Sequence, residues 1–288
     1  MRKQLALSYP ALAALALLAL GVLELASRHA ADSSPALQPP ALRAAAAQPP
    51  APPLLPLPWP PLPASTRRLT AATAPAPPAW CAGLRSSPTL TPAERALHRH
   101  HLASAAARGG EYFEWGAGSS TLAAAAAAGL ARVTTVDTAA GALACVLVQG
   151  GLADALGEAR LAALHVEVHG EAGAFGNPVD EGARAAWPDV SGAILLHPDP
   201  AAIAVALVDG RFRAACILKA ASVLRDEAVI LVHDWDTRPA YHGAVAAGLL
   251  RVAAQAERLV ALQRTAKAGA LSPEQWRAHW AGVEYEQS

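Results

Sequence analysis

The sequence predicts an α/β fold with a doubly wound, mostly parallel sheet. Between residues 94 and 265, apolar segments of strand length alternate with Ala- and Leu-rich segments of helical length, which is typical of parallel sheets flanked by helices. The apolar residues 112–115 run directly into the turn Gly116-Ala117-Gly118, and a helix then begins near Ser119. A strand, tight turn and helix in this order hold a nucleotide-like ligand at the carboxyl edge of a sheet.

The residues of this turn have distinct physical roles. Gly116 and Gly118 lack a Cβ, so the chain can turn sharply and a ligand can come close to the backbone. Ser119, Ser120 and Thr121 offer hydroxyls that can cap the next helix. The free N–H groups of that helix start favour a polar or anionic part of a ligand.

A second predicted strand ends in Asp137, which follows Gly116 by 21 positions. This is near the spacing of about 20 expected for a carboxylate that accepts ribose hydroxyls. Asp137 also suits the N-cap of a helix over residues 138–140, and the two roles can coexist. Thr121 stands where a dinucleotide fingerprint has its third glycine, so the motif is not that fingerprint.

The acid and glycine pattern resembles the first motifs of class I S-adenosylmethionine-dependent methyltransferases. Glu114, Gly116, Gly118 and Asp137 match those motifs residue by residue. The hydroxyl-rich continuation is similar to a poorly characterised methyltransferase-like subgroup. The resemblance covers roughly residues 94–265 and implies a Rossmann-like methyltransferase fold that uses S-adenosylmethionine. The cofactor-binding residues that we predict are Glu114, Gly116, Gly118, Ser119, Ser120, Thr121 and Asp137.

Charged side chains follow two later predicted strands. Asp209 precedes Arg211 and Arg213, and His233 precedes Asp234. Because ligands bind where parallel strands end, we expect these groups near the glycine turn, with Asp209, His233 and Asp234 as catalytic residues. In one mechanism Asp209, together with Asp234 or Asp236, holds a divalent cation such as Mg²⁺ or Mn²⁺, which lowers the pKa of an acceptor hydroxyl. In the other, His233 is the general base.

Other side chains near the strand ends have two interpretations each. Arg211 and Arg213 bind an acidic group of a substrate, such as a uronate or phosphate, or they pair with neighbouring carboxylates. Trp115 and Trp235 stack on an adenine or sugar ring, or they fill the core.

These residues indicate a methyltransferase that acts on a hydroxyl of a glycan or small molecule. The alternatives are a nicotinamide-dependent oxidoreductase and a non-catalytic interaction domain. A hydrolase is disfavoured because the sequence has no G-x-S-x-G elbow. Residues 94–288 hold 16 basic and 21 acidic residues, so we expect no nucleic acid partner.

The N-terminal part of the chain predicts three regions. Residues 1–26 carry Arg2 and Lys3 before an apolar stretch and form a signal anchor or a cleaved signal peptide. Residues 27–90 form a Pro/Ala-rich, disordered stalk, and residues 91–288 form the folded domain. The positive end places that domain across a membrane, in the lumen of the Golgi or another secretory compartment. A secreted or organellar protein is the alternative.

Further expectations concern cysteines, histidines and later elements. Cys145 and Cys216 lie in apolar runs and are predicted core residues, whereas Cys81 could pair with another chain in an oxidising compartment. The histidines of the first domain helix are predicted at the surface. The later elements that we predict are strands over residues 161–169, 202–209, 228–233 and 259–264 and helices over residues 138–150, 154–160, 181–187, 212–224 and 240–255, with a last helix from residue 272.

Overall fold

The strands form one mixed sheet, which the computed structural model describes together with its helices for residues 61–84, 89–149, 151–168 and 181–285. Its spatial order is β1-β4-β3-β2-β5-β6-β8-β7. The five strands from β4 to β6 are parallel, and β1, β7 and β8 pair antiparallel. The α/β fold with a mostly parallel sheet is therefore confirmed. The strands are β1 (Thr66–Leu69), β2 (Glu111–Trp115), β3 (Val133–Asp137), β4 (Leu161–Val166), β5 (Ile203–Val208), β6 (Val229–Val232), β7 (Leu250–Ala256) and β8 (Leu259–Arg264).

Helices connect these strands and cover the sheet. The first begins at a capping box, in which the Thr91 hydroxyl and the Glu94 carboxylate each accept from the other's backbone N–H. A π-helical turn over Cys145–Gln149 extends the third helix. The α-helices are α1 (Pro92–Ala106), α2 (Ser119–Ala126), α3 (Ala140–Ala144), α4 (Leu152–Arg160), α5 (Trp187–Gly192), α6 (Arg213–Val223), α7 (Gly243–Ala246), α8 (Ala266–Gly269) and α9 (Pro273–Ala281).

Both faces of the sheet are buried. Along β5, Val205 and Leu207 join one apolar cluster, whereas the alternate residues Ala206 and Val208 join another. Successive side chains of a strand point to opposite faces, so the two clusters lie on opposite sides of the sheet. This burial leaves the strand ends as the place where polar side chains can gather.

The predicted linker over residues 27–90 extends too far. Residues 66–69 form β1, which pairs antiparallel with β4, with Thr66 opposite Val166 and Leu69 opposite Ala163. Residues 64–70 contain no proline, so all of their backbone N–H groups are present and can join a sheet. The predicted signal anchor and the linker up to residue 60 lie outside the described residues. Within the described part of the chain, the helices are too short or too polar to cross a bilayer.

The prediction of a helix over residues 240–255 is wrong in its second half. Helix α7 ends before Gly248, whose φ of +70° suits a glycine, and residues 250–256 form the edge strand β7. The Ala-rich composition favours a helix locally. The ladder that joins β7 to β8 supplies tertiary contacts that override this preference.

Cysteine pairing within the chain is a further correction. Cys81 and Cys145 form a disulfide whose Cα atoms are 5.5 Å apart, so Cys81 does not pair with another chain. Cys145 is buried, as predicted, and Cys216 is buried and free. The disulfide links the segment that follows β1 to the helical segment that follows β3.

Candidate active site

Two glycines bring the turns after β2 and β5 into direct contact. Gly116 has a φ of +103°, and a Cβ built on it would lie 2.9 Å from the backbone C and O atoms of Asp209. A Cβ on Gly210 would lie 3.0 Å from the backbone N of Gly116. Neither position accepts a side chain without displacing the other turn.

A pocket of about 290 Å³ opens beside this contact, at the carboxyl ends of β2, β3 and β5. Gly118 lines it in an extended conformation, and a Cβ there would stand in open space. A ligand can therefore approach the backbone at Gly118, as expected for a cofactor turn. The lining residues are Thr89, Trp115, Gly116, Ala117, Gly118, Ser120, Val136, Asp137, Thr138, Ala139, Ala142, Val190, Asp209, Gly210 and Arg211.

Asp137 lies in the pocket wall and fixes two turns. Its Oδ2 accepts from the backbone N–H of Ala117 at 2.8 Å, and its Oδ1 accepts from that of Ala139 at 2.8 Å. Burial raises the pKa of Asp137, and these backbone hydrogen bonds oppose the rise. Each carboxylate oxygen retains a lone pair that can accept a ribose hydroxyl. The N-cap of α3 is Ala139, so the predicted cap role of Asp137 is wrong. Asp137 instead fixes the turn before that helix, and its oxygens can also accept from a ligand.

Glu114 lies beneath the turn and does not line the pocket. It is fully buried, and its Oε2 accepts from Tyr112 at 2.8 Å and from Ser120 at 2.9 Å. Oε1 accepts from the Thr121 hydroxyl, whose oxygen accepts from the backbone N–H of Gly118 at 2.9 Å. Glu114 and Thr121 therefore shape the turn, while Ser120 both lines the pocket and holds Glu114. Ser119 starts α2 outside the lining residues.

A buried histidine extends this hydrogen-bond network. Nε2 of His98 lies 3.2 Å from the hydroxyl of Tyr112, and the side chain is 1% exposed, so the prediction of a surface histidine is wrong. Burial is the main cause that lowers the pKa of His98 to about 4. The spacing of His98, Leu102 and Ala105 places them on one helix face, and this apolar stripe is the signal that could have predicted its burial.

Burial also dominates the protonation of Glu114. It raises the pKa of this carboxyl to about 7, although the hydroxyls that donate to it lower the pKa. The turn that shapes the pocket therefore rests on a carboxyl that titrates near neutral pH.

Asp209, His233 and Asp234 lie together just past β5 and β6, as predicted. Nδ1 of His233 lies 3.0 Å from Oδ1 of Asp209. The Arg213 guanidinium bridges the two carboxylates, with Nη2 at 3.2 Å from Oδ1 of Asp209 and Nη1 donating to Oδ2 of Asp234 at 3.0 Å. Asp234 has a φ of +58°, a conformation that is uncommon outside glycine. This backbone conformation at the end of β6 directs the Asp234 side chain into the ion-pair network.

His233 is enclosed by carboxylates. It is 5% exposed, and its Nε2 lies 3.6 Å from Oε1 of the buried Glu94 in α1. Burial lowers the pKa of His233, but the hydrogen bond to Asp209 and the charges of Asp209, Asp234 and Glu94 outweigh it and raise the pKa overall. Its side chain is not part of the pocket wall that the described residues form. His233 therefore connects Asp209 to α1. The sequence identified Glu94 only as a helix cap, and nothing in its pattern pointed to His233.

Distances alone would permit a metal ion in this cluster, since ligand atoms of Asp209, His233 and Asp234 lie within 4.8 Å of one another. The charges fit an ion-pair network better. Asp234 accepts from Arg213 and Arg258, each at 3.0 Å. Burial opposes its charge, yet the nearby cations lower the pKa of Asp234 overall. With the α1 carboxylate included, three acids face two guanidinium groups and an imidazole whose pKa is raised.

The two arginines after β5 differ in their surroundings. Arg213 is 8% exposed and also donates to the backbone oxygens of Gly210 and His233, so pairing within the protein is its role. Arg211 lines the pocket. Trp235 is buried in the core outside the pocket wall, which supports the core-filling interpretation, whereas Trp115 is buried and also lines the pocket.

Comparison with known proteins gives structural similarities. No family model and no curated protein matches the sequence. The chain is similar to a methyltransferase-like protein from Silicibacter pomeroyi, with a TM-score of 0.53 and 25% identity over 69% of this chain and 97% of that one. Weaker similarities include an O-methyltransferase from Bacillus cereus in complex with SAH (TM-score 0.42, 13% identity, 64% of this chain and 86% of that one). Another is CalS11, a TDP-rhamnose 3′-O-methyltransferase of calicheamicin biosynthesis (TM-score 0.40, 15% identity, 64% and 91%).

The sheet order, the glycine turn after β2 and the acid at the end of β3 are consistent with a Rossmann-like methyltransferase fold. The predicted resemblance to S-adenosylmethionine-dependent methyltransferases is thereby confirmed. The similarity to the Silicibacter pomeroyi protein supports an enzyme of that kind and does not favour a nicotinamide-dependent oxidoreductase.

Proposed function

We propose that this protein is an S-adenosylmethionine-dependent O-methyltransferase that methylates a hydroxyl of a glycan or small molecule. One observation carries the proposal. At the carboxyl ends of β2, β3 and β5, a backbone turn open to a ligand at Gly118 shares a pocket with Asp209, whose side chain is 18% exposed. The turn can bind a cofactor, and the carboxylate of Asp209 can act as a proton acceptor.

The cofactor side of the pocket consists of Gly116, Gly118, Ser120 and Asp137. Asp137 binds the ribose hydroxyls, and the backbone at Gly118 allows close approach. When bound, S-adenosylmethionine supplies a methyl group on a sulfonium, and its transfer to the acceptor oxygen forms a C–O bond, breaks the C–S bond and leaves a neutral thioether.

Asp209 takes the proton that the acceptor hydroxyl loses. Its Oδ1 is engaged by His233 and Arg213, whereas no hydrogen bond from a described residue reaches Oδ2. The proton passes to Oδ2, and the two neighbours keep the carboxylate oriented toward the acceptor. Asp209 thus acts as the base, and His233 and Asp234 position it through the shared network.

Cofactor binding tests the proposal first. Isothermal titration of the full chain, which retains β1 and the disulfide, is expected to show one site for S-adenosylmethionine and for S-adenosylhomocysteine. Absence of binding heat with both ligands would refute the proposal. Asp137→Ala is expected to weaken both ligands at least about tenfold, the effect of about 1.4 kcal/mol of lost interaction.

Methyl transfer tests the base. The full chain is incubated with methyl-labelled S-adenosylmethionine and with oligosaccharide and small-metabolite fractions, and alkali-stable label reports ethers. Asp209→Asn is expected to bind S-adenosylhomocysteine with unchanged affinity and to lose ether formation by about 100-fold or more. An undiminished rate in this variant would refute Asp209 as the base.

The charge balance of the cluster supports transfer without a divalent cation. A cation between Asp209 and Asp234 would have to displace the Arg213 guanidinium from both carboxylates. We expect the same rate in EDTA as in excess Mg²⁺ or Mn²⁺. Loss of activity in EDTA that Mg²⁺ restores would instead favour the metal mechanism.

The disulfide supports a location in the secretory pathway. Disulfides persist in oxidising compartments, and Cys81–Cys145 lies within the domain. A membrane anchor over residues 1–26 remains a prediction, as does a luminal position of the domain. Protease protection of the domain in sealed microsomes tests the luminal position, and cleavage without detergent would place the domain on the cytosolic side.

A further inference from the structure

Arg211 is the one cationic side chain among the described residues that line the pocket. Its side chain is only partly buried, and no hydrogen bond or ion pair joins its guanidinium to another described residue. Arg213 and Arg258, by contrast, are both engaged by Asp234. Arg211 therefore offers its five N–H donors to the pocket.

The surroundings of Arg211 make an anionic ligand favourable. Burial and the nearby Arg213 charge lower the pKa of Arg211, and the charges of Asp137 and Asp209 oppose this. A partly buried charge without a hydrogen-bonded partner is unfavourable. A ligand carboxylate that pairs with the guanidinium relieves that cost and can form two parallel hydrogen bonds.

The ionic groups of the cofactor identify which part of it Arg211 meets. S-adenosylmethionine has one anionic group, the carboxylate of its methionine moiety, beside an ammonium and a sulfonium. Asp137 and Asp209 repel that carboxylate and attract the cationic groups. Arg211 is the group in the described wall that attracts it.

We propose that Arg211 binds the methionine carboxylate of the cofactor and thereby distinguishes the intact amino acid end from truncated adenosine thioethers. The inference rests on the proposed function, because it requires that the pocket bind S-adenosylmethionine. It adds a recognition residue that the resemblance to methyltransferases does not supply.

The test compares two ligands that differ in the amino acid end. S-adenosylhomocysteine carries the carboxylate, whereas 5′-methylthioadenosine keeps the adenosine and the thioether but lacks it. Both are titrated calorimetrically into the full-length wild type, Arg211→Gln, Arg211→Lys and Arg238→Gln. Arg238 is exposed on the same edge and does not line the pocket, so this control matches the change in charge. Thermal unfolding of each variant verifies that it is folded.

We expect Arg211→Gln to weaken S-adenosylhomocysteine at least about tenfold and to leave 5′-methylthioadenosine within about twofold. Arg211→Lys retains the charge without the planar fork and is expected to lie between wild type and Arg211→Gln. Arg238→Gln is expected to change neither affinity.

Three results would overturn the inference. Unchanged affinity for S-adenosylhomocysteine in Arg211→Gln would show that Arg211 does not meet the carboxylate. An equal loss for both ligands would indicate a structural role, and an equal loss in Arg238→Gln would indicate a general charge effect. A wild type that binds neither ligand would refute the proposed function itself, which is a distinct result.

Discussion

Oδ1 of Asp209 lies 3.0 Å from Nδ1 of His233, so the carboxylate of the pocket is backed by a buried imidazole. On its other side the ring faces Glu94 of α1 at 3.6 Å. The pocket is thereby connected to the first helix of the domain through charged groups. The network should respond to pH, because His233 balances the charge of its neighbours only when it is protonated.

His233→Gln is expected to lose more stability in mild acid than in base. The pKa of His233 is raised above its ordinary value of 6.5. Its contribution is therefore fully present below 6.5 and is lost as pH rises through the folded value. Urea unfolding of both proteins at about pH 5.5 and about pH 9 measures the difference. The exposed His100→Gln serves as control, and an equal loss for His233→Gln at both pH values would contradict the prediction.

Glu114→Gln is expected to gain stability relative to wild type as pH rises. The folded pKa of about 7 exceeds the ordinary 4.5. Wild-type stability therefore falls between these values, because the carboxyl of the unfolded chain loses its proton while the buried carboxyl keeps it. The relative gain from about pH 4.5 to about pH 8 is on the order of 3 kcal/mol. Chemical denaturation across this range checks it, with the exposed Glu227→Gln as control. A difference between wild type and Glu114→Gln that does not vary with pH would refute the raised pKa.

Alanine at the two glycines of the turn is expected to have separable effects. Gly116→Ala requires a residue with a Cβ at φ +103° and places that atom 2.9 Å from the Asp209 backbone, so stability falls by about 2 kcal/mol or more. Gly118→Ala meets no atom within 4 Å. It keeps its stability but loses cofactor affinity, because the methyl group enters the pocket. Thermal unfolding and S-adenosylhomocysteine titration separate the two, and similar melting temperatures for both variants would contradict this assignment.

Removal of the disulfide is expected to destabilise the domain. Cys81 and Cys145 close a loop with a sequence separation of 64, and a cross-link of that length contributes about 4 kcal/mol. A double Cys81→Ala and Cys145→Ala variant should unfold at a lower temperature than wild type and should be insensitive to reductant. Cys216→Ala, at the free buried cysteine, should retain the reductant sensitivity of wild type. Reductant that leaves the wild-type melting temperature unchanged would refute a stabilising bond.

The sequence predicted the helices and strands that are marked by short sequence patterns, such as capping boxes and apolar runs. The capping boxes at Thr91 and Ser272 mark the starts of α1 and α9, and the acids at strand ends follow from the apolar runs before them. Strand β7 was missed, because pairing with β8 outweighs the helix propensity of an Ala-rich segment. The link between Cys81 and Cys145 was missed for the same reason, since contacts distant in sequence leave no local pattern.

The candidate active site was likewise predicted only in part from the sequence. The chain pattern identified Asp209, His233 and Asp234 as neighbours, but it could not tell that Arg213 bridges the two carboxylates. It also grouped Glu114 with the ligand-facing residues, although this acid is fully buried. Side-chain packing decides whether a carboxylate oxygen faces a ligand or a hydroxyl of the protein. The spacing of residues along the chain does not specify that packing.

The contact between Gly116 and Gly210 has a consequence for how the pocket can change. At the floor between β2 and β5, main chain packs against main chain, so a side chain added there would change the width of the floor only by destabilising the fold. Preference for the acceptor can instead be changed at the surrounding walls, such as Thr89 before α1 and Val190 of α5. An engineer who wished to admit a different acceptor would begin with these two positions and leave the glycines untouched.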